Sequence, residues 1–217
     1  MRGGIDQHLI AKEGWWVIAV LTAVILCSYF YFPVYISIVL VLLLVLVLFA
    51  TRNPLIEIPS APLGVLCPAS GKITSIVKAG DPWLSRSATL VQIKVGLSSV
   101  HTLRSPVEGK IMNEWSADCD ITGYNRRYAY WFQTDEGDDI VISLLLGKYS
   151  PFTRMYIRSG ERIGQGEYCG YLYFSGMVEV YMPESARINI ETGSKISAGV
   201  DILSTFVHEE GITGLGK

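Results

Sequence analysis

Hydrophobic and polar positions divide this chain into two unlike stretches. From Gly14 to Thr51 there is no Asp, Glu, Lys, Arg or His, whereas beyond it charge, glycine and β-branched residues alternate over a few positions at a time. As a single helix the 38 residues of the apolar block would reach about 55 Å, against a hydrocarbon core of about 30 Å. The block is also too long for a secretion signal, whose apolar region runs about 7 to 15 residues. Pro33 breaks it at the middle. It therefore predicts a transmembrane hairpin of two helices, Trp15 to Phe32 and Val34 to Ala50. Trp15-Trp16 and the turn Tyr29-Phe30-Tyr31-Phe32-Pro33-Val34-Tyr35 suit the two membrane interfaces. A helical hairpin buried in a soluble protein would be expected to carry polar residues along one face.

After the block the period changes to that of strands. Short runs rich in Val, Ile and Tyr, set apart by Gly, Pro, Asn or Asp, cover Lys72 to Val77, Thr89 to Val95, Tyr128 to Thr134, Asp139 to Leu145, Gly170 to Tyr173, Val178 to Met182 and Arg187 to Ile190. The fold class this implies is mainly β: an antiparallel barrel or sandwich-like domain behind an N-terminal two-helix transmembrane hairpin. Three prolines in Arg52-Asn53-Pro54-Leu55-Ile56-Glu57-Ile58-Pro59-Ser60-Ala61-Pro62 exclude helix and predict an extended strap. The expected organisation is an N-terminus at 1–14, the hairpin at 15–50, the strap at 51–63, the β domain at 64–207 and a flexible tail at 208–217.

Two internal echoes shape that domain. Cys67-Pro68-Ala69-Ser70-Gly71-Lys72-Ile73 returns as Ser105-Pro106-Val107-Glu108-Gly109-Lys110-Ile111, and Gly160-Glu161-Arg162-Ile163-Gly164-Gln165-Gly166 returns as Gly193-Ser194-Lys195-Ile196-Ser197-Ala198-Gly199. In the first pair Pro sets an extended approach, Gly permits a positive φ at a corner and Ile returns to the core; the second pair reads as two hairpin corners of similar shape. Such corners resemble the flattened barrels of biotinyl and lipoyl carrier domains, without a lysine placed to carry a swinging arm.

Charge then sets orientation and narrows chemistry. The net charge of −2 and the 50% hydrophobic content average over both parts. Arg2 and Lys12 precede the first span, Arg52 follows the second and the connecting turn has no basic residue, so both ends are expected on the cytoplasmic side of an inner membrane. Cys27, Cys67, Cys119 and Cys169 are scattered, which reads as reduced thiols and no zinc site. Asp135-Glu136-Gly137-Asp138-Asp139 has the form of a hairpin turn and brings too few converging oxygens for calcium. No phosphate loop, dinucleotide motif or basic stripe for nucleic acid is present. Arg126-Arg127, followed by Tyr128-Ala129-Tyr130-Trp131, reads either as a grip on a lipid headgroup or as a solvated turn leading into a strand.

An ordered series of motifs resembles the short prokaryotic form of phosphatidylserine decarboxylase over nearly the whole chain. Ile10-Ala11-Lys12-Glu13-Gly14-Trp15 is similar to the start of that family's anchor and Arg52-Asn53-Pro54 to the Arg-Asp-Pro that follows it. Cys67 to Ile73 is similar to Ala-Pro-Ala-Asp-Gly-Lys-Val, and Val100-His101-Thr102-Leu103-Arg104-Ser105-Pro106-Val107-Glu108-Gly109-Lys110 to Asp-Val-His-x-x-Arg-x-Pro-x-x-Gly-Lys, with Ser99 in place of the Asp. Asn125-Arg126-Arg127 resembles Asn-Glu-Arg-Asn, and Thr153-Arg154-Met155 resembles Arg-Arg-Ile. Gly170-Tyr171-Leu172-Tyr173-Phe174-Ser175-Gly176-Met177-Val178-Glu179-Val180-Tyr181-Met182-Pro183 resembles Gly-x-Ile-x-Phe-Gly-Ser-Arg-Val-Asp-Val-Tyr-Leu-Pro.

The resemblance implies a chain that cuts its own Gly-Ser bond with the serine hydroxyl, turning the serine into a pyruvoyl electrophile that takes up the amine of phosphatidylserine. That needs a hydroxyl, a His as base and an Asp to orient it. Here the serine position is Gly176, its preceding glycine is Ser175, the orienting Asp is Ser70 and the arginine after the serine is Met177; His101 alone of the three is kept. Ser175 lies one residue off the aligned position, which in a strand reverses the face. The expectation is a membrane-anchored protein with the family fold that acts as a lipid-binding, scaffold or accessory subunit without a cofactor, partnered by the phospholipid bilayer and by a larger membrane complex or further copies of itself. The alternative is a decarboxylase that cuts Phe174-Ser175 and carries a pyruvoyl from Ser175. Candidate residues are His101 and Ser175 for catalysis and Arg126, Arg127 and Met177 for lipid.

Overall fold

A computed structural model describes residues 14–31, 33–50, 56–97, 99–119, 121–147, 153–173 and 175–207. The segment before Gly14, the Arg52-Asn53-Pro54 end of the strap, Phe174 and the tail from 208 lie outside the described residues. Two helices open the chain, α1 (Gly14–Tyr31) and α2 (Val34–Ala50), parted at Pro33. α1 is long and apolar enough to cross a membrane; α2 is apolar and one residue shorter. Ser28 donates its hydroxyl to the Ile25 carbonyl at 2.9 Å, and the buried hydroxyls of Ser28 and Ser37 lie 2.9 Å apart, so Ser37 is the donor in the link between the helices.

Fourteen strands follow among the described residues: β1 (Gly64–Leu66), β2 (Gly71–Asp81), β3 (Arg86–Val95), β4 (Thr102–Arg104), β5 (Gly109–Asp118), β6 (Tyr124–Gln133), β7 (Asp139–Gly147), β8 (Thr153–Met155), β9 (Arg162–Ile163), β10 (Tyr168–Leu172), β11 (Gly176–Pro183), β12 (Arg187–Ile188), β13 (Lys195–Ile196) and β14 (Ile202–Thr205). A curled sheet runs β13-β2-β3-β11-β7-β6-β5-β9, flanked by the small sheets β1-β14-β12 and β4-β10-β8, and every pairing is antiparallel. The mainly β, antiparallel class read from the alternation is the one observed.

The sheet order reads the same from both ends when β2 is exchanged with β5, β3 with β6, β11 with β7 and β13 with β9. The small sheets exchange likewise, β1 with β4, β14 with β10 and β12 with β8. One half is β4 to β10, continuous in sequence. The other is β1 to β3 and β11 to β14, so the first half is inserted into the second. The echoes are the seams of this duplication: Gly71 pairs Ile196 and Gly109 pairs Ile163, while Gly199 donates to the Cys67 carbonyl at 2.8 Å and Gly166 to the Ser105 carbonyl at 2.9 Å. The second echo forms matched corners, with φ of 92° and 72° at Gly160 and Gly166 and 93° and 72° at Gly193 and Gly199. The first echo differs from expectation. Gly71 and Gly109 are not in positive φ; a Cβ there would sit 2.4 Å from the Lys94 oxygen and 2.2 Å from that of Gln133, so close backbone approach is what demands glycine. Both isoleucines, Ile73 and Ile111, do reach the core.

Residues of even number on β6, β7 and β11 (Phe132, Ile142, Leu144, Val178, Val180) join Val91 and Ile93 of β3 in the main core on the inner face. On the outer face Leu90, Ala129, Val141 and Tyr181 make a smaller core under Trp83, Leu84, Trp115 and Trp131, with the rings of Trp83 and Trp115 stacked at 5.5 Å. Burial on both faces explains the uninterrupted apolar run of β7. The strap joins this body through Ile56 and Ile58, whose side chains fill the space beside Gly199 and Gly166 where a Cβ would stand, and through Gln165, whose amide donates to the carbonyls of Ala61 and Gly64.

Cys67 and Cys169 are fully buried, and burial pushes the Cys169 thiol up to about 12 and raises that of Cys67 as well. Because the thiolate is the nucleophile, maleimide labelling of the folded protein at pH 8 is expected to modify half-buried Cys119 ahead of these two, and unfolding in guanidinium should expose all three. Peptide mass spectrometry reads the order.

Candidate functional site

The chain leaves the split half at Val95 and returns at Gly176, and these two residues pair with each other. The chain passes to the inserted half after Val95 and comes back to the split half before Gly176. His101 ends the outgoing link and Ser175 the returning one. His101 is buried; its carbonyl accepts the Leu172 N–H at 2.9 Å and its ring lies 6.0 Å from that of Tyr171, which meets Tyr173 edge-on at 5.0 Å. Gly176 opens β11 between Val95 and Leu146. A Cβ built on it would stand 2.9 Å from the Leu145 oxygen and 3.2 Å from a Leu172 methyl. His101, Leu172 and Gly176 are thus brought together.

The other candidate positions are distributed differently. Ser70 accepts the Ala198 N–H on its hydroxyl at 2.9 Å and borders a cavity of about 260 Å³ that His101 does not line. Met177 points to the outer face, in the row of Lys94 and Leu145. Arg126 and Arg127 lie within β6, so the pleat turns them to opposite faces and they do not form one cluster. Arg126 is exposed, with Nη1 3.4 Å from the Tyr128 hydroxyl.

Arg127 is held within the outer face. It donates to Ser143 Oγ at 2.8 Å and to the Tyr181 hydroxyl at 2.6 Å, forms an ion pair with buried Glu179, and stacks 5.3 Å over the Trp83 ring. Glu179 also receives the Gln92 amide and the Tyr181 hydroxyl, each at 3.0 Å. Burial first, then the charge of Glu179, raises the Tyr181 phenol above its ordinary range.

Arg104 carries a burden that Arg127 does not. It is 2% exposed, donates Nη1 to the Gly166 carbonyl at 2.9 Å, and among the described residues has no carboxylate within ion-pair reach. Burial lowers its pKa from the usual arginine value. A buried charge without a counter-ion costs several kcal/mol. The motif reading passed over Arg104, yet the first echo holds a signal: carried back one residue, it sets Arg104 against Leu66, an apolar core position. No group of three or more His, Cys, Asp or Glu that could hold a metal occurs among the described residues. At the aligned serine position the residues do not fit a pyruvoyl group, since Gly176 has no hydroxyl and no room for a Cβ.

A sequence profile for phosphatidylserine decarboxylase matches residues 43–204. The chain is 32% identical over 206 residues to the phosphatidylserine decarboxylase proenzyme of Nitrosomonas eutropha, covering 91% of this chain and 95% of that protein, and 31% identical over 206 residues to that of Nitrosomonas europaea at the same coverage. The proenzyme of Paraburkholderia xenovorans is 32% identical over 204 residues, 90% of this chain and 96% of its own. The chain belongs to the phosphatidylserine decarboxylase family. No solved structure matches it.

Two pairs of substitutions test the packing. Gly176→Ala is expected to destabilise the β domain by about 1–3 kcal/mol through overpacking against backbone, while Gly80→Ala, where a Cβ meets nothing within 4 Å, should leave the thermal midpoint nearly unchanged. Arg127→Ala, which strands buried Glu179, is expected to cost about 3 kcal/mol or more, against less than about 0.5 kcal/mol for exposed Arg126→Ala; urea titration of both variants measures the difference.

Proposed function

We propose that this chain is a membrane-anchored member of the family that forms no pyruvoyl group and works by holding phospholipid, as a scaffold or accessory subunit of a larger membrane complex or of its own oligomer. The observation that carries this reading is Gly176: at the position aligned with the self-cleaving serine there is no hydroxyl, and the space a serine would need is taken by the Leu145 carbonyl and Leu172. Ser70 in place of the orienting Asp supports it, because a neutral hydroxyl already engaged by the Ala198 N–H does not stabilise an imidazolium as a carboxylate does. Two spans with both ends cytoplasmic belong to this reading; the apolar pair α1 and α2, the Ser28–Ser37 hydrogen bond between them and basic residues confined to the outer flanks support it.

The second reading is favoured by one observation, that Ser175 keeps a hydroxyl one residue from the aligned position on the returning link. The alternation of β11 carried back one residue places it on the parity of Met177 and Glu179, opposite Gly176. Intact-mass analysis of purified protein decides between the two. A single species at 24.0 kDa is expected; two fragments meeting at Ser175, the smaller beginning with a pyruvoyl group, would make the chain a self-processing decarboxylase.

A further inference from the structure

Arg104, which has no counter-ion among the described residues, lines the cavity of about 260 Å³ that Ser70, Thr102 and Ser197 also line. Thr102 and Arg104 are buried at its floor, whereas Ser197 and Val200 are exposed at its mouth. Ser70 accepts the Ala198 N–H on its oxygen, which leaves its own proton to donate. Arg104 gives Nη1 to the Gly166 carbonyl and has further N–H groups to offer. The lining residues hold three hydroxyls and a guanidinium and no carboxylate, a set that suits an oxyanion with several acceptor oxygens and repels a cation. The volume lies below the range of about 300–1,000 Å³ of ordinary ligand pockets, which suits one compact group.

We propose that this cavity is a phosphate-binding site, in which Arg104 and the hydroxyls of Ser70, Thr102 and Ser197 hold the phosphate of a phospholipid headgroup or a free phosphate. Its position favours the headgroup. Ile56 of the strap forms one wall and lies six residues after the last residue of α2, so chain length alone keeps the wall within about 20 Å of the helix end. The site deepens the reading of the chain as a holder of phospholipid and rests on that reading for the source of its ligand.

The test uses the full chain in a nonionic detergent and isothermal titration with three probes: inorganic phosphate, dihexanoyl phosphatidylglycerol, and dihexanoylglycerol, which lacks the phosphate. The phosphate-bearing lipid should bind and dihexanoylglycerol should not. Arg104→Lys should weaken binding about tenfold or more, since a compact ammonium cannot reproduce the planar fork. If that variant does not fold, the combined variant Thr102→Val and Ser197→Ala decides, with the same tenfold loss expected. Lipid binding in preference to inorganic phosphate identifies the headgroup, and equal binding of both identifies free phosphate; either supports the site. Absence of binding by both, or binding unchanged in the variants, overturns it. The mass of the same sample separates the two conclusions: a cut chain sinks the non-catalytic reading, whereas an uncut chain that ignores phosphate sinks only this one.

Discussion

The structure depends on the pairing of β11 between β3 and β7. Eight residues, Gly176–Pro183, register against Val95 to Ala88 on one side and, over their first six, against Leu146 to Val141 on the other. In the large sheet that strand joins the split half to the inserted one, and it pairs residues 95 positions apart at Pro183 and Ala88. Loop-closure entropy must be met before such contacts form, so a chain with this topology folds slowly relative to its size. The same pairing sets Gly176 beside Leu172, whose N–H donates to the His101 carbonyl.

Two arginines, Arg127 half-buried and Arg104 buried, show how differently a charge can be used in one fold. Arg127 has a carboxylate, a phenol, a serine hydroxyl and an indole face around it, and truncating it would leave Glu179 exposed to the full desolvation penalty. Arg104 has a single backbone carbonyl and a cavity. In the split half the corresponding position is Leu66, which packs in the same setting without a charge. The duplication thus provides its own comparison: the fold does not require arginine there, and a cavity of about 240 Å³ lined by Pro62, Glu108 and Gln165 stands at the equivalent place, so what distinguishes the two halves at that point is the charge of Arg104.

Much of the architecture was legible because its signals are local. The uncharged block from Gly14, the break at Pro33, the alternation over β2, β3, β7 and β11 and the matched glycines of the second echo each depend on residues within a few positions of one another. β5 escaped detection because beyond Ile111 it carries Asn113, Glu114, Ser116 and Asp118, exposed positions without period, and only pairing with β6 makes it a strand. β1 and β4 are three residues long and buried throughout, too short to show any period. At the site, the motifs named His101, Ser70 and Gly176 together as positions of one family pattern. They could not say that Ser70 faces a cavity His101 does not line, or that Arg126 and Arg127 part to opposite faces.

By itself the amino-acid sequence determined that an apolar, uncharged helical segment precedes a duplicated antiparallel β domain of the phosphatidylserine decarboxylase family, because hydropathy, period and motif order are read along the chain. The tertiary structure alone decided which half is inserted in which, what stands where a serine side chain would go at Gly176, and that Arg104 is buried with no counter-ion among the described residues. Those are properties of register and closure. In a strand a shift of one residue exchanges the two faces, and only partners distant in sequence determine which face is in and which is out.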